Sequence, residues 1–233
     1  MIPARLLRRY QRFLVDVELE DGTRVTAHTA NTGAMRDCSD PGLRVWLSRS
    51  ENPRRKYPLT LELVETRSGV CVGVNTLRAN ALVEEAVREG CVASLGGYRR
   101  VRREVRYGGG RSRVDLLLEA GPAPDCYVEV KNVTWVDAGG SARFPDAPTA
   151  RGLRHLHELV RMVRAGFRAG VFFCVQRDDA RVVGPARAVD PAWGAALEEG
   201  VAQGLEVWAC AARVDVREVR LVRPVPVCLH GPA

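Results

Sequence analysis

The chain has 233 residues, 46% hydrophobic and 27% charged, enough for one large or two small domains with real cores. A formal net charge of +7 favours a polyanionic partner such as nucleic acid. Seven cysteines without a Cys-x-x-Cys pair argue against a disulfide framework or a zinc site, and no segment nears the ~18 apolar residues of a membrane span.

The first ten residues hold no apolar run of signal-peptide length, so a soluble cytoplasmic protein is expected. Cys71, Cys126, Cys174 and Cys210 are flanked by apolar strand residues and read as buried thiols. Strand-like segments follow at 13–19, 24–29, 43–49, 59–65 and 70–74, the first two joined by a tight Asp21-Gly22 turn. Five short strands with no helical period between them fit a small antiparallel barrel, and an OB-like domain over residues 1–75 is the expectation. Between the second and third segments, residues 28–35 form a small, polar, turn-rich loop. Between the later ones, Arg49, Arg54, Arg55 and Lys56 could meet phosphates and Tyr57 could stack on a base. A solvated charge run fits the same residues.

From residue 76 the period changes. Asn80 can cap a helix whose apolar face is Leu82, Val83, Ala86 and Val87, with Gly90 at its end. Glu84 and Glu85 flank that face almost symmetrically, so periodicity does not choose between them. A basic strand at 99–107 leads into Gly108-Gly109-Gly110, which reads as a hairpin turn because no Gly-Lys-Ser/Thr follows.

The next stretch carries the chemistry. Segments 114–118 and 126–130 read as strands around Gly121-Pro122-Ala123-Pro124-Asp125. A hairpin centred on Pro122 sets Asp115 opposite Glu129, where cross-strand Cβ atoms lie roughly 4.5–5.5 Å apart. Alternation puts Lys131 on the face of Glu129 and sends Val128 and Val130 into the core. Two carboxylates that close can share Mg²⁺ or Mn²⁺, and a neighbouring ammonium can steady an attacking hydroxide. Of 35 basic side chains only Lys56 and Lys131 are lysines, so a compact ammonium is retained at 131 in a chain that otherwise uses arginine. A surface hairpin in which Lys131 neutralises nearby carboxylates remains the plainer alternative.

Beyond a loop ending at Thr149, Leu153, Leu156, Val160, Val163 and Phe167 mark a helix. Arg151, Arg154 and His155 in its first turn, with Arg113 on the hairpin, are candidate phosphate contacts. His155 and His157 point about 200° apart and are not a metal pair. An apolar strand at 170–176, a helix at 190–200 and strands at 205–212 and 214–222 complete an α/β domain with a mixed sheet over residues 76–233.

Asp115, Glu129 and Lys131 resemble the motif of the PD-(D/E)xK nucleases. The whole chain, from near Arg12 to near Pro226, resembles the sugar fermentation stimulation protein A family. The resemblance rests on Asn31-Thr32-Gly33-x-Met35, Asn52-Pro53-Arg54-Arg55-Lys56-Tyr57, Gly73-Val74-Asn75-Thr76, Ser112-Arg113-Val114-Asp115, Tyr127-Val128-Glu129-Val130-Lys131 and Phe144-Pro145-Asp146-Ala147. It implies an OB-like domain joined to a restriction-endonuclease-like domain, with DNA as partner, no small-molecule cofactor, and a Mg²⁺-dependent nuclease or a non-catalytic DNA-binding regulator as the activity. The family's Leu-Val-x-Glu-Ala pattern falls on Leu82, Val83, Glu85 and Ala86, which implies Glu85 as a further metal carboxylate beside Asp115 and Glu129.

Overall fold

The computed structural model describes residues 1–108 and 112–230; Gly109 and Gly110 of the expected glycine turn lie outside them. The first six strands are β1 (Ile2–Tyr10), β2 (Leu14–Leu19), β3 (Arg24–His28), β4 (Arg44–Arg49), β5 (Leu59–Glu65) and β6 (Cys71–Gly73). Antiparallel ladders join β3 to β2, β2 to β1, β1 to β4 and β4 to β5, and a parallel contact between His28 and Thr60 closes the ring. This is an OB barrel of five staves, filled by Leu6, Val15, Val17, Val45, Leu47 and Leu61.

Two details depart from the expected strands. The opening residues form a full stave, β1, whose Ala4 and Leu6 point inward while Arg5 and Arg8 point out. Those arginines masked a strand that buries only two side chains. The segment at 70–74, counted as a stave, is instead a short appended partner of β5. Nor is the barrel wholly antiparallel, since its closure runs β3 to β5 in parallel.

The second unit comprises α1 (Ala79–Arg88), β7 (Arg100–Tyr107), β8 (Ser112–Glu119), β9 (Cys126–Val133), β10 (Ser141–Phe144), α2 (Ala150–Arg164), β11 (Arg168–Val175), β12 (Val182–Pro185), α3 (Pro191–Ala202), β13 (Glu206–Val214) and β14 (Val219–Pro224). Its main sheet has the order β14-β13-β11-β9-β8-β7, with β9, β11 and β13 parallel and the outer strands antiparallel. The buried strand β11 is apolar on both faces. Phe172 and Cys174 pack towards α1, while Val171, Phe173 and Val175 pack towards α2 and α3. The result is a three-layer sandwich. A two-stranded parallel sheet of β10 and β12, unseen in the sequence pattern, borders it. No helix among the described residues is long and apolar enough to cross a membrane.

Helix ends also differ from expectation. Asn80 does not cap α1; Asn75 caps the 3-10 turn ahead of it by accepting from Leu77 N, which frees the Asn80 amide. Helix α2 stops at Arg164 because Gly166 turns back at φ +88°. Phe167 therefore leaves the helix and packs edge-on against Tyr127, ring centroids 5.5 Å apart.

The two units are bolted together at a buried carboxylate. Glu62 of β5 accepts from Ser48 Oγ at 2.6 Å, Asn75 Nδ2 at 3.0 Å and Arg78 Nε at 2.7 Å. Burial alone would raise its pKa, yet Arg78, Ser48 and Asn75 together hold it below the ordinary carboxylate value. Asp146 accepts from Met35 N at 3.1 Å, and Arg177 bonds Asp37 at 2.9 Å, so the barrel is fixed at two further points. Replacing Glu62 by Ala strands three polar partners at this joint. We expect Glu62→Ala to cost roughly 2–4 kcal/mol in urea unfolding at neutral pH. An unchanged midpoint would show that the joint carries no such load.

Candidate active site

The β8–β9 ladder pairs Leu116 with Val128, Leu117 with Tyr127 and Leu118 with Cys126, a register centred on Pro122. It stops there. One step further, the Asp115 side chain replaces the backbone: its Oδ2 accepts from Val130 N at 2.7 Å. Its Oδ1 accepts from Asn80 Nδ2 at 3.0 Å, so α1 reaches the same carboxylate.

Glu129 is 3% exposed. Its Oε1 accepts from Lys131 Nζ at 2.7 Å and also meets His155 Nδ1 from the second turn of α2. Its Oε2 is buried and has no hydrogen-bond partner among the protein's own groups. The Tyr107 hydroxyl is likewise buried and unpartnered. Burial, then the charges of Glu129, Glu158 and Asp115, push that phenol's pKa up.

The two carboxylates titrate apart. Burial, and then the charge on Glu129, push Asp115 up to about 6. Burial would raise Glu129 as well, but Lys131 and His155 outweigh it and hold this group below its ordinary value. Perturbed carboxylates of this kind cluster at functional sites.

The cluster borders a cleft of about 1400 Å³ between the two units. Residues 30–33 of the barrel form one wall, the turn and first residues of α1 another, and α2 a third. Thr149 caps α2 by accepting from Gly152 N at 2.9 Å, which aims the helix start at the cleft.

Asp115, Glu129, Lys131, His155, Arg113 and Arg151 all border this one cleft. His155 is not left for a phosphate, because its Nδ1 is engaged by Glu129 and its Nε2 lies 3.4 Å from Arg151 Nε. Glu85 does not join the cluster. It is exposed on α1, 3.9 Å from Arg220 of β14. Five residues on from Asn80, it lies about 140° round the helix from the side that meets Asp115. Glu84 is drawn off as well, paired with Arg88 and Arg103.

Arg49, Arg54, Arg55, Lys56 and Tyr57 sit at the β4 end and the β4–β5 loop, and none of them borders the cleft. Lys56 Nζ lies 5.4 Å from the Tyr57 ring centroid. Sequence reasoning missed Asn80 as a contact of Asp115, along with the buried Tyr107 hydroxyl. Asn80 had a signal, being a short amide at the expected start of α1; Tyr107 had none.

Among the described residues no group of three or more His, Cys, Asp or Glu side chains is arranged to hold a metal ion. The donors at hand are the unpartnered Glu129 Oε2 and the Asp115 carboxylate, hard oxygens that suit Mg²⁺ or Ca²⁺ and not a soft metal.

Comparison with known proteins agrees with the two units. The SfsA N-terminal OB domain matches residues 7–74, and the sugar fermentation stimulation protein RE domain matches residues 77–218. A sugar fermentation stimulation protein homolog of Alkalilimnicola ehrlichii is 54% identical over 225 residues, covering 96% of this chain and 94% of the relative. That of Pelobacter propionicus is 54% identical over 229 residues, 98% of each chain. The structure of Pyrococcus furiosus SfsA in complex with Ca²⁺ superposes with a TM-score of 0.87 at 26% identity, over 97% of this chain and 95% of that one.

A stability test follows from the Asp115 environment. With its folded pKa above its ordinary 3.8, the native state binds more protons than the unfolded one between about pH 4 and 6. Stability therefore falls as pH rises through that window, and at neutral pH the ionised side chain destabilises the fold. In EDTA, the stability of Asp115→Asn relative to the wild type is expected to rise by roughly 1–2 kcal/mol between about pH 4 and pH 7.5, on top of a pH-independent cost of setting an amide against two N–H donors. A stability difference that stays flat across that window would contradict the electrostatic reading of this site.

Proposed function

This chain belongs to the sugar fermentation stimulation protein family, and from that premise we propose that it binds DNA and hydrolyses phosphodiester bonds with Mg²⁺. One observation carries the reading: a buried carboxylate oxygen without a partner, Glu129 Oε2, beside Asp115 and Lys131 in a cleft lined with arginines. A buried charge left unsatisfied is costly, so such an oxygen points to a ligand. The Ca²⁺ held by the Pyrococcus furiosus relative supports a divalent ion.

Asp115 and Glu129 would hold the metal. When bound, the ion supplies a Lewis acid for the phosphodiester and lowers the pKa of a water. Lys131 and His155 occupy Oε1 and so leave the other Glu129 oxygen for the ion. The Lys131 ammonium is also placed to stabilise negative charge growing on the attacking oxygen and on the phosphorus centre. Arg113 and Arg151 neutralise neighbouring phosphates. Exposed Arg54 and Lys56, on the barrel loop, extend the basic surface beyond the cleft.

A non-catalytic DNA-binding regulator is the second reading. It is favoured by the want, among the described residues, of a third metal-ligating side chain beside the pair. Plasmid incubated with Mg²⁺ separates the two. Nicking or linearisation by the wild type, reduced at least about 100-fold in Lys131→Ala and in Asp115→Ala, is the expected outcome. Intact plasmid that is only retarded on a gel at low salt would leave the binding reading alone.

A further inference from the structure

We infer that the cleft takes an unpaired DNA strand, with Leu77 as the wedge that holds two bases apart and Trp135 as a stacking platform. The inference rests on the DNA reading of the same cleft and specifies its substrate class.

Leu77 is 77% exposed, more than any other large hydrophobic residue among those described. Single exposed leucines are ordinary on a convex surface. This one borders a concave cleft, in the 3-10 turn that leads into α1. The turn is rigidly held. Its own N–H donates to Asn75 Oδ1 at 3.1 Å, Thr76 Oγ1 donates to Ala30 O at 3.0 Å, and Arg78 Nε donates to Glu62 at 2.7 Å. The turn is thus tied to the barrel on both sides of Leu77, while the leucine side chain stays exposed. Three residues on, Asn80 holds the Asp115 carboxylate, which sets the leucine within one helical turn of the reactive cluster.

Trp135 lies two residues past the end of β9, is half-buried, and borders the same cleft. The Arg36 guanidinium lies over one face of the ring, 4.7 Å from its centroid, so a base would stack on the opposite face. An apolar wedge and an aromatic plane among arginines match what a single strand presents, namely phosphates along one edge and exposed base faces along the other. Paired bases hide those faces inside the stack. Wedges of this type insert between base steps and unstack them.

The test is fluorescence anisotropy of the full-length protein with a labelled 20-nucleotide strand and with its duplex, in Ca²⁺ at low salt. The wild type is expected to prefer the single strand at least about fivefold, the equivalent of one stacked base. Leu77→Ala and Trp135→Ala should each erase most of that preference while leaving duplex affinity within about twofold, and Leu77→Met should retain it. Because Leu77 is exposed, its substitution leaves the fold intact. Equal or tighter duplex binding by the wild type overturns the inference, as does single-strand affinity unchanged in both alanine variants. If neither nucleic acid is bound, the DNA reading fails and takes this inference with it. Selective strand binding without Mg²⁺-dependent cleavage of that strand would sink the nuclease reading and leave this one standing.

Discussion

Glu129 holds its carboxylate in a position that the rest of the structure must justify. One oxygen receives Lys131 and His155, the other receives nothing, and the whole group is buried against the sheet. A second carboxylate, Asp115, sits close enough to be repelled by it. Two anions in a site of low polarity are tolerated only if the surrounding framework is stable enough to hold them. Here that framework draws on every layer. The sheet provides Asp115, Glu129 and Lys131, α1 provides Asn80, and α2 provides His155.

The same demand explains the joint between the two units. Were the barrel loosely tethered, residues 30–33 could not serve as a wall of the cleft. Glu62 with its three partners, Asp146 under the loop at Met35, and Arg177 against Asp37 keep that wall in place. Gly33 belongs to this account: a Cβ there would collide with the Asp146 carboxylate. The Asn31-Thr32-Gly33-x-Met35 stretch is thus shaped by its contact with the second unit as much as by the barrel.

What was legible in the sequence follows from range. The hairpin register could be read because a turn of prolines and glycine fixes its centre and strand alternation does the rest; Lys131 and Glu129 share a face for the same reason. The barrel and the α/β sheet were legible from period and turn residues. The strand at Ile2–Tyr10 was not, since arginines fill its outer face and only Ala4 and Leu6 point inward. His155 could be placed on the first turns of α2 from its sequence, but its bond to Glu129 depends on how α2 crosses the sheet. Glu85 failed for a related reason. A family pattern marks it, and only the rotation of α1 decides that Asn80 and not Glu85 meets Asp115. Distances along the chain were readable; orientations set by packing were not.

The central claim is that Asp115 and Glu129 together bind one divalent cation. Calorimetric titration of Mn²⁺ into the purified protein tests it directly. The account predicts a saturable binding event in the wild type that disappears in Glu129→Gln and in Asp115→Asn, with both variants folded by circular dichroism. Binding that persists undiminished in either folded variant would place the cation elsewhere and contradict the account.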